Sequence, residues 1–135
     1  MATHHDADLI LRLYDLRREG VMRKGREWFI GWLPGTPEEA RSACSGMGRQ
    51  DNAYVRQVTS FWEMAFSIAN SGAVDAELFA KNCGEGVLIA TKCQWLKEKH
   101  PDAWTRTMVE AETFIAGSAI AQKKAAIFKT RFETK

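Results

Sequence analysis

The chain has 135 residues, 45% of them hydrophobic, which is enough for one proper core without metal or disulfide staples. Charged residues make up 27% and almost cancel, leaving a net charge of +2, so no general electrostatic pull towards nucleic acid or anionic lipid is expected. The longest uncharged run, Met64 to Val74, covers eleven residues and falls well short of the roughly 20 needed to cross a bilayer, which excludes membrane insertion.

Only the tail is clearly basic, with five basic groups and one acidic group in residues 118–135. The N-terminal MATHHDAD lacks a basic start followed by an apolar stretch, so no secretory signal is expected. Cys44, Cys83 and Cys93 are odd in number and have no CxxC spacing, which fits reduced thiols in the cytoplasm.

Nowhere do apolar and polar residues alternate long enough for a convincing strand, whereas spacings of three and four recur throughout. The pattern predicts an all-α chain: one domain over residues 1–135, a bundle of five or six helices with short connections. The first helix is expected from about Asp6 to about Leu33, with Leu9, Leu13 and Leu16 on one stripe and with Gly20 and Gly25 as weak points. Leu33-Pro34-Gly35 ends it, because proline lacks the amide hydrogen and excludes helical geometry from the residue before it. Thr36-Pro37-Glu38-Glu39 then starts a short second helix as a capping box with proline at the first helical position.

A third helix is expected from about Asp51 to Ser71, with Tyr54, Val58, Phe61, Ala65 and Ile68 inward and Val55, Trp62 and Ala69 alongside. Gly72 suits the left-handed residue that closes a helix, and Asp75 suits the next cap, with Val74 and Phe79 as a hydrophobic staple. A fourth segment, about Asp75 to Lys99, loosens at Gly84-Glu85-Gly86 and ends at Pro101. From Pro101 the pattern reads as helical to about Phe132, either divided at Gly117-Ser118 or buried on more than one side in its second half.

Glu63 is the most tempting carboxylate, since a glutamate in an apolar pocket has a raised pKa and could move a proton. On a helical wheel with Val58 at zero it falls at about 140°, near Arg56 at about 160°, so a solvated or salt-bridged role is preferred. A DNA-reading helix after Gly72 would begin with Asp75 and Glu77, which phosphate repels, so DNA binding is rejected. The run Arg12, Arg17, Arg18, Arg23, Lys24, Arg26 is interleaved with Asp15, Glu19 and Glu27 and reads as a salt-bridged face. Lys123, Lys124, Lys129, Arg131 and Lys135 complement a helix C-terminus, which leaves RNA contact a weaker reading.

His4-His5 with Asp6 and Asp8 contains ligand-type residues but lies at a chain end without a fixed surround, and neither HExxH nor an ExxH pair occurs. GxSxG, GxxxxGK[ST] and strand-linked GxGxxG motifs do not occur. No catalytic residue, metal ligand or cofactor is therefore assigned. Trp28-Phe29-Ile30-Gly31-Trp32-Leu33 is apolar around most of a helix and must be covered, by the bundle or by a partner. Gly117, Ala121 and Ala125, spaced by four, form a smooth ridge that serves internal packing and self-association equally well.

Phe61-x-Glu63, Gly72-x-Val74-Asp75, Leu78 and Trp95 together resemble a pattern in bacterial all-helical domains of unknown function, over about residues 54–96. Many such domains follow an N-terminal membrane anchor, and none is expected here. The resemblance implies an all-helical fold in which Asp75 is a cap and Glu63 pairs with an arginine, and it implies no established activity.

The preferred reading is a helical domain that associates with itself or with another protein, through Trp28, Phe29, Trp32, Gly117, Ala121 or Ala125. The alternative is a small-molecule-binding protein or enzyme with a pocket between helices, lined by Tyr14, Arg17 or Glu63.

Overall fold

A computed structural model describes residues 1–133, and within them the chain forms eight helices and no strand. The helices are α1 (His4–Arg17), α2 (Gly20–Gly31), α3 (Pro37–Ser45), α4 (Gln50–Asn70), α5 (Ala76–Asn82), α6 (Gly84–Lys99), α7 (Val109–Ala116) and α8 (Ala119–Glu133). Five or six helices become eight because three expected rods each divide at a cap or turn.

The first division falls before Gly20. Glu19 is extended, and its carboxylate accepts from the N–H groups of Val21 (3.1 Å) and Met22 (3.0 Å), so it caps α2. Those two bonds, Val21 first, hold the Glu19 carboxyl below its ordinary pKa. Gly25 lies within α2 and does not break it; a Cβ there would meet Tyr54 and Val58 at 3.2 Å, so glycine lets α2 lie close to α4.

The second division separates α5 from α6 at Cys83, one residue before the expected glycines. The third is larger. Residues 101–108 are not helical: the N–H groups of Ala103 and Trp104 both turn back onto the His100 carbonyl, at 3.0 and 2.8 Å. Trp104 and Met108 are nonetheless buried, which is why their apolar spacing imitated a helix. Gly117-Ser118 then divides α7 from α8, with the Ser118 hydroxyl accepting from Ala121 N–H at 3.1 Å.

Local signals elsewhere act as the sequence predicts. Thr36 accepts from Glu39 N–H at 3.2 Å, but Glu39 reaches back to the N–H of Gly35 (2.9 Å) rather than to that of Thr36, so the box is displaced by one residue. Gly72 has φ +85°, where any side chain would be strained. Asp75 accepts from Leu78 N–H at 2.9 Å and caps α5, while Val74 and Phe79 are both buried.

Helix α4 is the axis of the bundle, with α2, α3, α5, α6 and α7 all packed on it. Its buried face runs through Val55, Val58, Trp62, Ala65, Phe66 and Ala69, while Tyr54, Phe61 and Ile68, expected inward, are half-buried. The face is rotated and widened because neighbours surround the helix on several sides. Helix α6 is covered still more fully: Val87, Ile89, Ala90, Thr91, Lys92, Cys93 and Leu96 are all buried. At Gly86 a Cβ would lie 2.5 Å from the Trp62 ring, so α6 crosses α4 at a separation that only glycine permits. None of the helices among the described residues is long and apolar enough to cross a membrane.

Candidate functional site

Dividing the first rod brings residues of α1 and α2 around one buried carboxylate. Glu85, in the first turn of α6, places Oε1 2.5 Å from Arg26 Nε and Oε2 3.3 Å from Arg17 Nη2. The Trp62 indole N–H donates to Oε1 at 3.4 Å. The Glu85 side chain is only 9% exposed, so its charge is carried by these partners rather than by water. One carboxylate thus ties α1 and α2 to α6, and its position at a helix N-terminus favours the negative charge further.

Arg17 also lies over the Tyr14 ring, 4.8 Å from its centroid, with Arg18 at 5.7 Å. Tyr14 and Arg17 stand where two clefts meet. One, of about 190 Å³, is lined by Ile10, Leu11, Leu13, Trp62 and Cys83 beside them. The other, of about 250 Å³, is lined by Arg18, Arg23, Arg26 and Glu27. The first is apolar and the second cationic. Burial pushes the Cys83 thiol up to about 11, against the pull of Arg17 and Lys124, so it stays protonated at neutral pH.

Tyr14 and Arg17 are pocket residues expected from the sequence. Glu63, the third, is elsewhere. It is half-buried, and its two oxygens accept from the N–H groups of Glu110 (3.0 Å) and Ala111 (2.9 Å), so it caps α7 from α4. The carboxylate expected to pair with an arginine therefore pairs with backbone amides, which reward an anion at a helix N-terminus in the same way.

The aromatic run of α2 faces largely inward. Phe29 is wholly buried, its ring 6.2 Å from that of Trp104, and Trp32 lies 5.9 Å from Trp104. Trp28 stacks on Trp32 at 4.9 Å and lies 6.0 Å from Tyr54; both tryptophans are half-buried. Beneath them Lys92, 1% exposed, donates from Nζ to the carbonyls of Phe29, Ile30 (3.2 Å) and Trp32. An ammonium at the C-terminal carbonyls of α2 offsets both the helix dipole and its own desolvation.

The small-residue ridge is interrupted. Gly117 is exposed at the end of α7, whereas Ala121 is wholly buried and Ala125 half-buried on α8, which packs on α6. In the basic tail, Lys124 donates to the carbonyls of Ala80 (2.8 Å) and Lys81 (3.0 Å) and so closes α5; Lys135 lies outside the described residues. Asp6, which the sequence groups with His4 and His5, accepts from the N–H groups of Thr3 (2.6 Å) and Asp75 (2.9 Å), and these bonds hold its carboxyl below the ordinary value.

Glu85 and Lys92 are the residues that sequence reasoning passed over. Glu85 carried one signal, a lone acid between two glycines at a helix start; Lys92 carried one too, a lone cation in the apolar stretch Val87 to Leu96.

The fold and site define an all-α protein built round one central helix, with an arginine-flanked cleft between its first two helices and an apolar one where α1 meets α4 and the end of α5. Residues 2–116 match the family described as Domain of unknown function (DUF4760), and the chain belongs to that family. The match takes in α1 to α7, and with them the whole cleft, and stops short of α8. No curated protein and no solved structure matches the chain.

Proposed function

We propose that this domain acts in the cytoplasm by binding a partner protein along α1, at the two clefts that α1 forms with α2 on one side and with α4 and the end of α5 on the other. The carrying observation is that Tyr14 and Arg17 sit at the junction of an apolar cleft and a cationic one. Tyrosine and arginine are among the residue types that most often dominate interface energies, and here Arg17 lies over the Tyr14 ring and is itself held by Glu85. Each cleft is smaller than the roughly 300 Å³ of an ordinary small-molecule site, and both open to solvent, which suits protruding side chains better than an enclosed metabolite.

The apolar arc of α1 supports the same reading. Leu13 is buried, yet Leu11 and Tyr14, turned away from it round the helix, are 64% and 48% exposed, leaving apolar surface that the bundle does not cover. The other surfaces put forward for association are more nearly used up: Phe29 and Ala121 are covered within the chain, so only Gly117, Ala125 and the edges of Trp28 and Trp32 remain for an outside contact. The partner segment that fits the cleft carries one apolar anchor beside acidic residues.

A fluorescence titration with two synthetic peptides tests this. Both carry a leucine anchor, flanked by glutamates in one and by lysines in the other. The acidic peptide binds and the basic one does not; Leu11→Asp weakens binding about ten-fold without changing the melting temperature, because Leu11 holds nothing in the core. Equal binding of the two peptides, or indifference to Leu11→Asp, overturns the proposal.

A further inference from the structure

The cationic half of the cleft holds more charge than the chain itself neutralises. Arg17, Arg18, Arg23 and Arg26 meet there, against Glu27 on the rim and Glu85 beneath, so two positive charges are left over. Glu85 holds the two inner guanidiniums from behind, through Arg26 Nε and one terminal nitrogen of Arg17. Arg17 Nε is shielded from water and has no acceptor. Arg23 is steadied as well, donating from Nη2 to the Arg18 carbonyl at 3.3 Å.

The number and type of these groups select the anion. A carboxylate brings one charge and satisfies one guanidinium fork. A phosphate monoester brings about −1.5 to −2 at neutral pH and three acceptor oxygens, which matches both the surplus charge and the convergence of several planar donors.

We propose that the arginine half of the cleft is a phosphate-monoester site, filled by a phosphorylated side chain of the partner whose neighbouring apolar residue occupies the other half. This rests on the partner-binding reading above. Glu85 is then a positioning residue, which holds Arg17 and Arg26 at the wall of the cleft without touching the phosphate.

Calorimetric titration at low salt separates the cases with four probes: a leucine-flanked phosphoserine peptide, the same peptide with glutamate, the same with serine, and phenyl phosphate. The phosphoserine peptide binds about ten-fold more tightly than the glutamate peptide, and the serine peptide more weakly still. Arg23→Gln weakens the phosphopeptide several-fold with an unchanged melting temperature, because Arg23 makes no contact with Glu85; Arg17→Gln weakens it more but also loosens the fold. Equal affinity for phosphoserine and glutamate overturns the phosphate assignment and leaves partner binding standing. Failure of every peptide overturns both. Phenyl phosphate binding as tightly as the phosphopeptide keeps the phosphate site and overturns its delivery by a protein.

Discussion

Removing the Glu63 carboxylate should loosen α7 from a distance. In Glu63→Ala the N–H groups of Glu110 and Ala111 lose acceptors at 3.0 and 2.9 Å. The two losses are unequal. Glu110 is half-buried, so water can replace part of that bond, whereas Ala111 is wholly buried and its donor is left unsatisfied. An unsatisfied buried donor costs about 1–3 kcal/mol, and loss of the negative charge at the helix start adds about 0.3–1 kcal/mol. Together these give a destabilisation of about 1–4 kcal/mol, centred at or slightly above the upper end for a lost helix cap. For a chain of this size that corresponds to a melting temperature lower by roughly 10 °C.

Glu63→Gln keeps one acceptor and should lose about half as much. Urea unfolding followed by tryptophan fluorescence measures the total, and amide exchange at Ala111 locates it. A change within about 0.5 kcal/mol for Glu63→Ala, or unaltered protection of Ala111, would refute the view that this carboxylate defines where α7 begins.

Gly86→Ala should also destabilise, by about 1–2 kcal/mol, although alanine is the better helix former: the new Cβ would lie 2.5 Å from the Trp62 ring, and overpacking outweighs the propensity gain. Urea melts decide the sign, and a variant as stable as the parent would show that α4 and α6 can separate freely. The cysteines give a pH dependence. Burial raises the thiols of Cys83 to about 11 and Cys93 to about 12, so the unfolded chain releases these protons first. Their contribution to stability is full below the ordinary thiol pKa and is lost as pH rises through 11 and 12. Unfolding midpoints at pH 8 and 10.5 should therefore differ more in the parent than in Cys83→Ala; an equal difference would mean that Cys83 ionises as readily in the fold as out of it.

By itself the sequence determined the helical class and the joints whose partners lie within a few residues. Thr36 with Pro37 and Gly72 with Asp75 are legible because a cap or a left-handed turn is a transaction between near neighbours, whereas the pattern at Gly117-Ser118 left a break and a continuous helix equally open. The same locality misled over residues 101–108, where Trp104 and Met108 keep a helical spacing although the backbone turns onto His100 instead. What only the tertiary structure decided are the pairings of lone charges. Glu63 finds its amides 47 and 48 residues away, Arg26 reaches Glu85 across 59, and Lys92 reaches the end of α2 across 60 to 63. A helical wheel records which way such a side chain points but not which helix end or cation will face it. That depends on how rods cross, and here the crossings are set by small residues such as Gly25 and Gly86, whose missing side chains let α2 and α6 close on α4 and assemble the cleft around Arg17.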